Sequence, residues 1–292
     1  MNINKLNSHL QNIDVDYLYH LGFDSSMELE KIFGDIKYVV FTRTNNDANY
    51  FANQLTKKLY KLHNIEIDCH TIGKDERYHI FKIANTLVIS HGVGSPSLLI
   101  CINEVIKLLW HAKAHNVKFI RVGPGGGIGV ATKELIISNT AVDHTFISKW
   151  NNIEFGKTYS YDSYVEDKFL EEFILSSSHT LNRGKILATK SFYNGQWRLN
   201  GALNVSYTKE ESNNYLQRAQ DNGIKGIDME SGCFFAICNN FEIPAITILE
   251  TVSERLDNSH DADIISNYNP SKSHSYIPKA SLAIIDYIIN NR

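Results

Sequence analysis

Five glycines crowd Gly123-Pro124-Gly125-Gly126-Gly127-Ile128-Gly129, directly after a β-branched run that carries Arg121 near its end. Such a segment lets a ligand approach the backbone closely, and an arginine at its edge suits an anion. The pattern is not GxGxxG, and no Lys-Ser/Thr follows as a P-loop requires, so dinucleotides and nucleoside triphosphates are disfavoured ligands. A tight turn needing positive φ would account for the same glycines. His91-Gly92-Val93-Gly94 lies at another strand end, just before a helix opened by Ser95-Pro96-Ser97, where backbone N–H groups could face a small ligand.

Asp228-Met229-Glu230-Ser231 joins a short strand to a helix and puts two carboxylates where ligands of open α/β sheets collect. A carboxylate there can take two hydrogen bonds from a cis-diol, although an acidic helix N-terminus has the same composition. In Phe192-Tyr193-Asn194-Gly195-Gln196-Trp197-Arg198 an amide and a guanidinium two residues apart share one face of an extended segment beside aromatic rings. Gln offers a donor and an acceptor, Arg donors only, and the rings a stacking surface, which suits a planar heterocycle with carbonyl and N–H edges. His111 and His115 have i, i+4 spacing but lack the glutamate of HExxH and are expected to face solvent. Ser259-His260-Asp261 is consecutive, whereas a catalytic triad is a spatial arrangement, and there is no GxSxG elbow.

The elements that must position these residues alternate, short β-branched or aromatic runs with longer amphipathic ones, as in an α/β chain. Expected strands are 36–42, 65–72, 86–90, 118–122, 135–138, 185–191, 226–229 and 245–250. Expected helices are 47–62, 96–115, 166–177, 209–222, 232–240 and 278–290. Prolines number only five, and no Ser/Gly/Pro linker or charge block divides the chain, so one domain over residues 1–292 is expected. Leu256 to Tyr276 is polar and aperiodic, a long loop that is either a lid or plain surface.

The 292 residues include 29 Lys and Arg against 32 Asp and Glu, a formal charge of −3. That lacks the broad basic footprint of nucleic-acid or anionic-membrane binding, so a few local residues must meet any charged ligand. With 43% hydrophobic and 21% charged residues the composition is that of a globular core needing no staple. The four cysteines form no CxxC pair and read as small buried hydrophobes in a reducing compartment. Residues 1–11 lack a secretory apolar stretch and no window approaches a membrane span, so a cytosolic location is expected and Asn204-Val205-Ser206 is discounted for glycosylation.

Together these segments resemble the nucleoside phosphorylase family of the uridine phosphorylase type, its animal branch in particular. The similarity runs from about Asp16 through Asp16-Tyr17-Leu18-Tyr19-His20, Phe33-Gly34-Asp35, Asp75-Glu76-Arg77-Tyr78, the His91 and Arg121 segments, Gln196-x-Arg198, Asp228 to Ser231, and Glu254-Arg255-Leu256. It implies a single α/β domain with a central twisted mixed sheet flanked by helices. It also implies a homodimer with shared sites and phosphorolysis of uridine, with phosphate as co-substrate and neither metal nor cofactor. Matched position by position, Gln196, Arg198 and Arg255 would hold uracil, Phe192 would pack against the nucleoside, and Glu230 and Met229 would meet the ribose. His20, from the neighbouring subunit, would meet the 5′-hydroxyl. Arg121 and, from across the interface, Arg77 would bind phosphate. Arg121, Glu230 and Arg198 would carry the chemistry.

The chain also departs from the family. The phosphate-loop glycine falls on Thr42, the phosphate arginine on Asp47, and the threonine after Arg-x-Gly on Pro124, which has neither hydroxyl nor N–H. A carboxylate near a dianion should cost several kcal/mol by Coulomb reasoning, of order 4 kcal/mol at 4 Å and moderate dielectric. Arg43 is the obvious compensator, and Asp47 could instead cap a helix and point away. Asn200 stands for an expected Asp and Ser253 for a base-pocket aliphatic. A nucleoside hydrolase and a catalytically weak or silent nucleoside-binding paralogue therefore remain alternatives.

Overall fold

Every residue of Tyr38–Thr42, Thr86–Ser90 and Leu135–Ser138 is buried, which a strand achieves only when both faces of its sheet are covered. The computed structural model describes residues 5–63, 66–73, 77–166, 168–257, 275 and 277–291. The strands are β1 (Tyr17–Leu18), β2 (Phe23–Asp24), β3 (Tyr38–Thr42), β4 (Ile80–Ile83), β5 (Thr86–Ser90), β6 (Lys118–Gly127) and β7 (Leu135–Ser138). They continue with β8 (Ala141–Val142), β9 (Lys149–Glu154), β10 (Lys157–Asp162), β11 (Leu181–Arg183), β12 (Lys185–Ala188), β13 (Ile224–Asp228) and β14 (Ala245–Glu254). The helices are α1 (Leu29–Phe33), α2 (Asn45–Leu59), α3 (Ser95–His111), α4 (Phe169–Ser176), α5 (Lys209–Asp221), α6 (Ser231–Asn240) and α7 (Pro278–Asn290).

Among the described residues ten strands form one mixed sheet. β6 is its spine: its first half runs parallel to β3, its far end pairs antiparallel with β13, and β14 follows it in parallel almost throughout. Side-chain alternation then sorts the core. Val39, Phe41, Leu87, Ile89 and Phe119 face α1, α3 and α6, whereas Val40, Val88, Ile120 and Val122 face α2, α4 and α7. The α/β architecture implied by the sequence is the one observed.

Two expectations are corrected. Residues 66–72 form no strand; β5 lies between β3 and β4, the latter joined to it by a hairpin, and residue 65 lies outside the described residues. Nor is Gly123–Gly127 a loop, because it continues β6. A Cβ on Gly125 would lie 2.8 Å from Leu249 Cδ1, and one on Gly127 only 2.2 Å from the Val130 carbonyl oxygen. Close packing of β6 against its neighbours, rather than access for a ligand, accounts for those two glycines. Of the polar stretch 256–276, residues 258–274 and 276, and with them Ser259 to Asp261, lie outside the described residues.

Candidate active site

β13 ends at Asp228 and α6 starts at Ser231, leaving Met229 and Glu230 on the turn between them. Arg121 points there from the middle of β6 and is 1% exposed. Its Nη1 donates to Asp228 Oδ2 and its Nη2 to Glu230 Oε2, each at 2.6 Å. The Gly94 N–H donates to the other Glu230 oxygen at 2.7 Å, and Ser95 Oγ donates to the Met229 carbonyl at 2.8 Å. The loop before α3 thus closes on the carboxylate turn. Burial pushes the Glu230 carboxyl above its ordinary value; Arg121 opposes this and Asp228 adds to it. Its oxygens still have lone pairs for hydroxyl donors.

Arg121 Nε and both ring nitrogens of His91 are buried without a hydrogen-bond partner among the described residues. His91 is wholly buried, and burial, then the charges of Arg121 and Arg43, hold its imidazole well below the ordinary histidine value. Arg43, immediately after β3, therefore stands in the electrostatic neighbourhood of Arg121.

Asp47 is wholly buried at the start of α2. It accepts from Thr44 Oγ1 at 2.6 Å and from Ser275 Oγ at 2.8 Å, while Thr44 caps the Asp47 N–H. The charge reversal is thus part of a helix cap. Thr42 Oγ1 turns to the carbonyls of Thr44 and Ile89. Pro124 is embedded in β6, opposite Glu250 of β14.

Gln196 and Arg198 are not on an extended segment. Residues 194–196 form a 3-10 turn, Trp197 has φ +54°, and the Arg198 N–H folds back to the Tyr193 carbonyl. The turn buries both side chains, at 5% and 6% exposure, and lays the Arg198 guanidinium 4.2 Å from the centre of the half-exposed Phe192 ring. Arg255, 7% exposed, donates to the Gln196 carbonyl at 2.7 Å, and its Cγ would lie 3.0 Å from a Cβ on Gly126. Here a glycine does clear the way for a site residue. Ser253, in register with Gly126, is buried with an unpartnered hydroxyl among the described residues.

Thr189 joins the two groups: its backbone N–H and its Oγ1–H both reach the Asp228 carbonyl, and the Gln196 amide donates to Oγ1 at 3.3 Å. Sequence reasoning missed Thr189, Tyr207, whose hydroxyl donates to the Arg198 carbonyl at 3.2 Å, and Glu104. None sits in a motif; each is found only through a partner distant in sequence or across a turn.

His20 and Arg77 flank Tyr78. The His20 and Tyr78 ring centres are 6.2 Å apart, and the Arg77 guanidinium lies 5.4 Å from the Tyr78 ring. His111, expected in solvent, is half-buried and meets Asp16 Oδ2 at 2.9 Å. Cys101, Cys233 and Cys238 are buried thiols, with Cys233 pushed up to about 12 by burial.

A mixed α/β sheet that gathers a buried arginine, two carboxylates and an amide–guanidinium pair is the frame of a nucleoside-cleaving enzyme. The chain belongs to the phosphorylase superfamily, whose family model matches residues 37–273. It is 33% identical to uridine phosphorylase 2 of Mus musculus over 96% of this chain and 90% of that one. It is also 31% identical to inactive uridine phosphorylase B of Schistosoma mansoni, over 86% of each chain. Among solved structures, uridine phosphorylase of Schistosoma mansoni in complex with uracil superposes with a TM-score of 0.85 at 28% identity, covering 98% of this chain and 99% of that one.

Proposed function

We propose that the protein is a uridine phosphorylase, a pentosyltransferase of pyrimidine salvage that converts uridine and phosphate reversibly to uracil and ribose 1-phosphate. The observation that carries this reading is the junction at Thr189, which ties the Gln196–Arg198–Arg255 group to the Arg121–Asp228–Glu230 group. A base and a sugar with its attacking anion need just such adjoining subsites.

In this reading Gln196 and Arg198 hold the uracil edge with Arg255 behind them, and Phe192 covers the nucleoside. Glu230 accepts from the ribose hydroxyls, with Met229 against the sugar. Arg121, through its Nε–H, which has no partner among the described residues, binds phosphate with Arg43 and Arg77. A phosphate oxygen forms the bond to C1′ as the C1′–N1 bond breaks, and the electron pair passes into the uracil ring. Arg198 and Gln196 strengthen their hydrogen bonds as that charge grows, charge-assisted bonds being worth about 1.5–3 kcal/mol each. The sugar between them becomes oxocarbenium-like, so catalysis is positioning plus electrostatics, with no metal or other cofactor.

The working unit is a cytosolic homodimer in which each chain, one phosphorylase domain over 1–292, lends His20 and Arg77 to its partner. Their grouping around the single ring of Tyr78 supports that reading.

The test is uracil release from uridine across a phosphate titration, with the sugar product identified. Saturable phosphate dependence and ribose 1-phosphate are expected. Ribose released without phosphate would mean hydrolysis, and uracil binding without release a silent binding protein. The second outcome has one observation in its favour, that both Nη atoms of Arg121 already serve carboxylates.

A further inference from the structure

Glu104, on the third turn of α3, is a buried carboxylate in no motif, and it is almost entirely engaged with one residue and its neighbour. Its Oε2 accepts from the backbone N–H groups of His20 and Leu21 at 2.9 and 3.1 Å, and its Oε1 lies 2.7 Å from His20 Nδ1. Glu104 is 7% exposed, whereas the His20 side chain is 36% exposed, so the ring projects outward from a buried anchor. Tyr78 stands beside the ring, tied by its hydroxyl to the Ser97 carbonyl in the first turn of the same helix.

An ionised carboxylate can only accept, so a neutral His20 bonded to it carries its proton on Nδ1 and turns the Nε2 lone pair outward. We infer that Glu104 is a positioning residue that fixes this His20 tautomer, so that Nε2 accepts from the 5′-hydroxyl of the nucleoside in the partner's site. This rests on the uridine reading above and adds to it the determinant of selectivity for a nucleoside that bears a 5′-hydroxyl.

Holding the Tyr17–Asp24 hairpin in place is a separate task. Asp16 docks that segment on the same helix face through Lys107 at 2.6 Å and His111 at 2.9 Å. The carboxylate on His20 therefore does more than fasten the hairpin. Glu104→Gln preserves the shape: the amide oxygen can keep the backbone N–H groups, while the amide nitrogen donates to Nδ1 and forces the ring proton onto Nε2. The ring then presents an N–H where a lone pair stood.

The experiment compares kcat/KM for uridine and 5′-deoxyuridine in the wild type, Glu104→Gln, His20→Ala and the double variant, with ¹⁵N-histidine NMR reporting the His20 tautomer. Expected are a loss of about tenfold on uridine in Glu104→Gln, the scale of such outer-shell partners, and little change on 5′-deoxyuridine. In the His20→Ala background Glu104→Gln should add nothing, and the tautomer should swap from Nδ1–H to Nε2–H. Equal loss on both substrates, persistence of the loss without His20, or an unchanged tautomer would overturn the inference. If the wild type turns over neither nucleoside, the uridine reading falls, and the tautomer swap still decides the role of Glu104.

Discussion

Arg121 Nη2 and Glu230 Oε2 meet at 2.6 Å in a pocket where neither residue is more than 4% exposed. The same guanidinium holds Asp228, so one buried positive charge is shared between two buried carboxylates. Removing one partner of such a group leaves uncompensated charge in the interior, which costs about 3–5 kcal/mol. Arg121→Met should lower the free energy of urea unfolding by that amount as well as abolish activity, whereas an arginine needed only for phosphate would leave the unfolding midpoint in place.

Arg198 is the contrasting case. It sits on the turn held by Tyr193 and Tyr207 and leans on Phe192. Arg198→Ala should reduce kcat/KM for uridine by about 10- to 150-fold, the equivalent of 1.5–3 kcal/mol of charge-assisted bonding to the departing uracil. Steady-state kinetics at saturating phosphate measures this, and near-normal turnover would remove Arg198 from the base site.

His91 ties stability to pH. Burial and the charges of Arg121 and Arg43 keep it neutral in the folded protein, well below the 6.5 of an unfolded histidine. As pH falls below about 6.5 the unfolded chain takes up a proton that the native protein refuses, so stability drops, at up to about 1.4 kcal/mol per pH unit. His144 and His179, also held down by burial, add to the acid-side loss, while Glu230, raised by burial, opposes it below neutrality. Comparing denaturation of wild type and His91→Asn between pH 7 and 5 isolates one proton: the gap between them should shrink as pH falls. A constant gap would show that His91 is protonated in the native state.

The parts of the site written in contiguous residues were legible before the fold. Asp228-Met229-Glu230-Ser231 reads as a strand-to-helix turn because apolar strand and helix patterns flank it, and Gln196-x-Arg198 carries its chemistry in its residue types. What stayed hidden depends on partners brought together by the sheet. The Glu104 contact with His20 spans 84 positions, and nothing in α3 distinguishes that glutamate from a solvated one. The same holds for Asp47, whose charge looks like a defect in an anion site until Thr44 and Ser275 are seen around it. The glycines misled for the opposite reason, because a dense glycine run fits both a ligand-cradling loop and a strand pressed against its neighbours. β4 was missed because Ile80–Ile83 is only four residues long and pairs at a hairpin.

Pro124 offers the sharpest test of how the chain handles phosphate. It lies three residues beyond Arg121 on β6, at the position where the family resemblance expects a phosphate-binding threonine. Proline supplies neither hydroxyl nor N–H there. Pro124→Thr restores a hydroxyl, and one additional hydrogen bond of about 1 kcal/mol should lower the KM for phosphate about fivefold. The KM for uridine should not move, because the residues proposed for base and ribose lie on the β13–α6 turn, directly after β14 and on the 192–198 turn. Loss of the proline also enlarges the unfolded ensemble, a destabilisation of about 0.4–1 kcal/mol that thermal unfolding would register separately. A phosphate titration at saturating uridine in both proteins decides the matter: an unchanged phosphate KM would place the anion away from residue 124 and leave the proposed arginines, Arg121, Arg43 and Arg77, to hold it alone.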